Sequence, residues 1–157
     1  MAEAVMEWQG GESNWVLRRR VLPQHTDHGG VMWHGAYLAW LEEARVEALA
    51  ASGLPYASLS AQGLELPVVT LQIDYRRAVG HGEVVELRSV AMPRRGLRLP
   101  WISRFLLGGG GLAAEAHVEL VLVRRLGAGE GLRPVRRYPP EFEQALQRLL
   151  AGPREPC

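Results

Sequence analysis

Apolar residues recur along this chain with two different periods, and each change of period marks an element boundary. From Trp15 to Leu22 apolar and basic residues mix as in a strand, and Pro23, with no N–H for a ladder, ends it. From Tyr37 the period lengthens. Tyr37, Leu38, Leu41, Ala44, Ala48 and Leu49 fall at helical spacing, with Glu42, Glu43, Arg45 and Glu47 between them. This predicts a helix of about five turns. It begins near His34 or Gly35, is capped by Gly53 and cannot pass Pro55. Partial alternation returns in Val68 to Tyr75 (VVTLQIDY), and Glu83 to Val90, Leu97 to Leu107 and Leu112 to Arg125 give three more strands. After Pro139-Pro140, Glu141 to Leu150 forms a short amphipathic helix expected on the surface.

Turn residues cluster at Gly80-His81-Gly82, Pro93 to Gly96 and Gly108 to Gly111, so the later strands are expected as antiparallel hairpins. One long helix facing an antiparallel sheet of about five strands is an α+β architecture in which the helix covers one sheet face. The 157 residues suit a single domain, 1–157, with its core at about 14–137 and its C-terminal helix at about 139–151.

Composition narrows the function classes. The formal charge is +1, and no apolar stretch is long enough to span a bilayer. The opening MAEAVMEWQGGES lacks the basic start and apolar run of a secretory signal, which points to the cytoplasm. The sole cysteine, Cys157, can form no internal disulfide. There is no lysine, so Schiff-base chemistry through a lysine amine is excluded. The arginine pairs Arg76-Arg77, Arg94-Arg95, Arg124-Arg125 and Arg136-Arg137 are scattered among acids without interleaved aromatics, a pattern that argues against nucleic-acid binding.

Candidate chemistry concentrates in Gln24 to Arg45, QHTDHGGVMWHGAYLAWLEEAR, where one acid, three histidines and a Gly-Gly turn precede the long helix. Asp27 is thereby set close to a helix N-terminus. There, exposed N–H groups and the positive end of the helix dipole stabilise an oxyanion, while a carboxylate activates water or attacks directly. That pairing suits acyl transfer or hydrolysis. The plainer reading of Asp27 is a turn or N-cap aspartate. His25-x-Asp27-His28 invites a metal reading, but only His81 and His117 lie outside this segment, at no recognisable ligand spacing, so no metal and no cofactor is expected. Glu42 and Arg45 stand at i,i+3 and are expected to pair on the helix face. Met32, Trp33, Trp40 and Tyr56 either line a pocket or belong to the core.

With these residues in hand, the chain resembles the hotdog-fold thioesterases of the 4-hydroxybenzoyl-CoA thioesterase type. Asp27, Gly30 and Tyr37 match D-x-x-G-x-x-x-x-x-x-Y, Glu42 and Arg45 a helical E-x-x-R, Ile73-Asp74-Tyr75 an I-D-Y strand, and Arg133 to Arg136 an R-P-V-R ending. The chain departs at His25-Thr26-Asp27, where many relatives have D-T-D, at Ala78, where a proline is common, and at the acidic turn, here Gly82-Glu83.

The resemblance implies an acyl-CoA thioesterase in which Asp27 is general base or nucleophile and the His34 backbone N–H donates to the thioester oxygen. The His34 side chain would polarise the carbonyl or orient Asp27, or else serve only in packing. Gly30, Val31, Trp33, Gly35 and Tyr37 would form the substrate-binding set. It further implies self-association as a dimer or tetramer, with a pocket between protomers and the CoA phosphates near surface arginines such as Arg94, Arg95 or Arg104. Two alternatives stay open: a hotdog hydratase or dehydratase acting on an acyl thioester, and a non-catalytic acyl-CoA sensor.

Overall fold

The computed structural model describes residues 14–153. The N-terminal segment read above for a signal sequence and Cys157 lie outside the described residues. Strand β1 (Trp15–Arg20) leads through a 3-10 turn at Pro23–His25 to helix α1 (His34–Ala51) and the short helix α2 (Tyr56–Ala61). Strands β2 (Leu64–Glu65), β3 (Val68–Tyr75), β4 (Val84–Ala91), β5 (Arg98–Leu107), β6 (Leu112–Val121), β7 (Val123–Arg125) and β8 (Leu132–Pro134) follow, then helix α3 (Pro140–Ala151).

Helix α1 is rich in alanine, leucine and glutamate, which lose little entropy on helix formation. It stops where the periodicity predicts. Gly53 is left-handed (φ +91°), its N–H donates to Ala50 O at 3.0 Å, and the Leu54 N–H donates to Leu49 O at 3.0 Å. This is a Schellman ending that satisfies two orphan carbonyls.

The main sheet is antiparallel, in the order β1-β4-β5-β6-β3. Helix α1 packs on its inner face beside β4 and β1. Two buried clusters lie beneath it. Met32, Tyr37, Trp40 and Leu41 pack on Val85, Leu87, Phe105 and Ala116 at one end, and Ala48 and Leu49 pack with Leu99, Trp101, Val118 and α3 at the other. Each fully buried large apolar side chain contributes about 1.5–3 kcal/mol. A long helix held against an antiparallel sheet of five strands, with a short C-terminal helix, is the expected hotdog architecture.

The fold differs from expectation in three places. The segment between β3 and β4 is not a hairpin: β3 pairs with β6 and β4 with β1. The linker is too long for a tight turn and instead packs on the segment before α1, where the Met32 N–H donates to Val79 O at 2.7 Å. The run Leu112 to Arg125 is split, because β7 leaves the main sheet for a second, three-stranded one ordered β2-β7-β8. Helix α3 is more than a surface element: Phe142, Ala145, Leu146 and Leu149 are buried in the core, an amphipathic stripe closing that end of the sheet.

Candidate active site

Residues 25–33 form a small hairpin ahead of α1. Thr26 pairs with Met32, the Asp27 N–H donates to Val31 O at 2.9 Å, and the Trp33 N–H donates to His25 O at 3.1 Å. The tip closes with the Gly30 N–H donating to Asp27 O at 3.0 Å, and Gly30 takes a left-handed backbone (φ +78°) that a side chain would strain. The hairpin is anchored from outside as well. Val31 bridges to Gly80, and the His81 N–H donates to Gly30 O at 3.3 Å. His25 braces its base: Nδ1 accepts the Leu22 N–H at 3.0 Å, and the ring stands edge-on to Trp40 at 5.1 Å.

Asp27 is exposed at this tip. Its Oδ1 accepts the Gly29 N–H at 2.8 Å and the Val31 N–H at 3.4 Å, an Asx turn that fixes the carboxylate plane. Oδ2 receives no hydrogen bond from the described residues. The turn role and an available oxygen therefore coexist in one side chain.

Helix α1 begins directly after the hairpin. Its N-cap, Trp33, is extended (φ −89°, ψ 155°) and supplies no side-chain cap. The Ala36 N–H donates to Trp33 O at 3.0 Å, whereas the His34 and Gly35 N–H groups meet no acceptor among the described residues. Uncapped N–H groups at the positive end of an 18-residue helix are suited to an oxyanion. The His34 ring is exposed and lies edge-on to Trp33 at 5.2 Å, with no hydrogen bond to Asp27.

Of the sequence-predicted set, Asp27, Gly30, Val31, Trp33 and His34 are each exposed along the hairpin and helix start, and Gly35 lies under the Trp33 indole. Tyr37 does not. It is buried, edge-on to Tyr75 at 5.1 Å and Phe105 at 4.9 Å, and burial raises its phenol pKa, as do Tyr75 and Glu83. Met32 and Trp40 are core residues. Tyr56 is half-buried, its hydroxyl donating to Leu66 O at 3.2 Å.

The expected Glu42–Arg45 pair is absent. Arg45 is 6% exposed and its Nε–H donates to no acceptor among the described residues, while Glu42 is exposed. Spacing of three brings two helix positions near each other, but here one faces the interior and the other solvent. Desolvation lowers the Arg45 pKa, opposed by Tyr56 and Glu42.

Two expected phosphate partners are engaged within the chain. Arg94 donates to Gly96 O and Arg136 O at 2.6 Å each and lies over the Tyr138 ring at 3.9 Å, and Arg104 pairs with Glu115 at 2.9 Å. Tyr75 was not among the expected site residues. It is 52% exposed, its ring reaches the first turn of α1, and the I-D-Y match was its signal. Arg76 and Arg77 follow it, exposed and without an ion pair among the described residues. Among those residues no three metal-binding side chains gather.

The profile of the Thioesterase-like superfamily matches residues 21–150. The chain belongs to that superfamily. Among its relatives, the Synechocystis sp. (strain PCC 6803) protein named "Putative esterase sll0410" is 37% identical over 131 residues, 83% of this chain and 76% of its own length. The acyl-CoA thioester hydrolase YbgC of Escherichia coli O6:H1 is 29% identical over 104 residues, 66% of this chain and 78% of its own. Among solved structures, the DHNA-CoA thioesterase of Staphylococcus aureus superposes with a TM-score of 0.76 at 26% identity, covering 88% of this chain and 91% of that one. The superfamily's match begins at Val21 and so takes in the whole hairpin and the start of α1.

Proposed function

We propose that this protein is an acyl-CoA thioesterase, with Asp27 as its acid group and the first turn of α1 as its oxyanion site. The observation that carries the reading is the carboxylate of Asp27, one oxygen held by an Asx turn and the other unengaged, just before an uncapped helix N-terminus. Membership of the thioesterase-like superfamily and similarity to an acyl-CoA thioester hydrolase and a DHNA-CoA thioesterase support the choice of thioester as substrate.

As general base, Asp27 takes a proton from water as its oxygen attacks the thioester carbonyl. The N–H groups of His34 and Gly35 receive the developing oxyanion, and the tetrahedral species collapses with loss of the CoA thiolate, which is then protonated. As nucleophile, the carboxylate displaces the thiolate directly to form a mixed anhydride, which one water then hydrolyses. Both routes consume one water and release the acid and CoA. The His34 side chain, exposed beside Trp33, is available to polarise the carbonyl. Gly30, Val31, Trp33 and Gly35 line the approach, and Tyr37 supports it from beneath. Arg76 and Arg77 are the cations best suited to the CoA phosphates.

The proposed working unit is a dimer joined along β3. This edge strand has Leu71, Ile73 and Tyr75 on its inner face, opposite buried residues of β6, and Leu71 and Tyr75 are 41% and 52% exposed because α1 covers the β1–β4 part of that face. An eight-residue edge strand with exposed apolar side chains on one face invites pairing with a second copy. No helix among the described residues is long and apolar enough to cross a membrane, and the proposed setting is the cytoplasm.

The test is release of free thiol from a panel of aromatic and aliphatic acyl-CoAs. Turnover of any of them, with free acid as the other product, is expected. Folded protein that releases no thiol from the panel would overturn the reading. Single-turnover hydrolysis in ¹⁸O-water then tests the nucleophilic route: label entering the Asp27 carboxyl marks an anhydride opened by water at the Asp27 carbonyl.

A further inference from the structure

Gly35 is the second residue of α1, and its backbone is that of an ordinary right-handed helix rather than the left-handed conformation that favours glycine. Glycine is a poor helix former, so its presence calls for another reason. Space supplies one. A Cβ on Gly35 would lie 2.2 Å from Cη2 and 2.5 Å from both Cζ2 and Cζ3 of Trp33, well inside van der Waals contact. The six-membered ring of the indole thus occupies the volume that any side chain at position 35 would take. The Trp33 side chain folds forward over the first turn of α1 instead of turning away from it, and its ring meets His34 at 5.2 Å with an interplanar angle of 68°.

This seat puts a flat surface at the candidate site. Along residues 31–33 exposure alternates, 37% at Val31, 6% at Met32 and 44% at Trp33, so Val31 and Trp33 share the open side of the hairpin. Asp27 is hydrogen-bonded opposite Val31, which gives it the same side. The indole therefore lies on the same side of the hairpin as the carboxylate and over the helix turn whose N–H groups are uncapped, with nearly half of its surface open.

We infer that Trp33, seated on Gly35, is the specificity-determining wall of the acyl site, and that its indole face selects planar acyl groups, aryl or conjugated, over puckered saturated ones. The inference rests on the thioesterase reading. An acyl group entering along this wall lies against the indole with its carbonyl carbon toward Asp27 and its oxygen toward the helix turn. A flat π-system makes offset contact over its whole face. A puckered ring touches at a few hydrogens.

The test compares benzoyl-CoA with cyclohexanecarbonyl-CoA, which have the same ring size but differ in planarity. The readout is the ratio of their kcat/KM values in wild type, Trp33→Leu, Trp33→Phe and Gly35→Ala. The wild type favours the benzoyl ester. Trp33→Leu lowers the ratio about three- to tenfold, the size of an aromatic pairing interaction. Trp33→Phe keeps a larger part of it. Gly35→Ala retains the tryptophan but pushes the indole off its seat, and lowers the ratio as Trp33→Leu does. Thermal melting of Gly35→Ala by circular dichroism, with a Tm well above the assay temperature, separates that loss from unfolding. Binding of both esters to Asp27→Asn with and without Trp33→Leu supplies the corresponding ground-state preference from Kd values, should a variant turn over too slowly. A ratio unchanged in both Trp33→Leu and Gly35→Ala overturns the inference and leaves the thioesterase reading standing. A wild type that hydrolyses neither ester, nor any other acyl-CoA, removes both.

Discussion

Replacing Asp27 in two ways separates its chemistry from its place in the turn. Oδ1 holds the Gly29 N–H at 2.8 Å and the Val31 N–H at a marginal 3.4 Å, while Oδ2 is available to a proton or an acyl carbon. Asparagine presents an amide oxygen where Oδ1 stands and keeps the Asx turn, so Asp27→Asn should change stability by no more than about 0.5 kcal/mol. Alanine removes one good hydrogen bond and a weak second one from an exposed site, a loss of about 1 kcal/mol. For a chain of this length that lowers Tm by roughly 2–4 °C. The activities should behave differently. Neither amide nor methyl accepts a proton or attacks a thioester, so both variants should lose about 10²- to 10⁴-fold in kcat, the contribution of a positioned general base. Melting is followed by circular dichroism and turnover by thiol release, on the same preparations. An Asp27→Asn enzyme that keeps most of its turnover, beside an alanine variant that melts early, would reduce Asp27 to a turn residue and refute the argument.

Three further outcomes follow from the same structure. Gly30→Ala places a side chain on a left-handed backbone (φ +78°) and should cost about 1–2 kcal/mol, with Gly30→Asn costing less; equal Tm values would show that the hairpin tip adapts. Lysine at Leu71, on the open inner face of β3, should convert the proposed dimer to monomer as measured by light scattering, and an unchanged mass would send the interface elsewhere. Glu86 accepts from Arg18 and Arg88, which together hold its carboxyl below the usual range despite partial burial. A depressed carboxyl stabilises the fold above its unfolded pKa and loses that contribution as pH falls through the folded one. Glu86→Gln should therefore lower Tm at neutral pH and flatten the acid side of the Tm–pH curve; parallel curves would show that the pair contributes nothing.

The elements were legible where their cause is local. Helix α1 was readable at both ends, since apolar spacing set its length and Gly53 and Pro55 set its stop, and Val68 to Tyr75 came out as β3. Helix α2 and strands β2 and β8 were missed because six residues or fewer carry too little periodicity to stand out. Arg45 shows the limit of spacing as evidence. The i,i+3 relation to Glu42 is real along the helix, yet burial of one partner and exposure of the other leaves them unpaired.

By itself the sequence determined that a carboxylate, a Gly-Gly turn and a helix start would be neighbours, because all lie within one short run and turn chemistry acts over a few residues. Strand order was decided only in three dimensions. An alternating strand reports which of its faces is apolar but not which strand lies beside it, so β3 could be placed next to β6 only once the whole sheet had formed. The seating of Trp33 on Gly35 is of the same kind. A tryptophan and a glycine two positions apart are unremarkable in a sequence, and it is the N-cap backbone that turns the indole over the first turn of α1 and makes one the reason for the other.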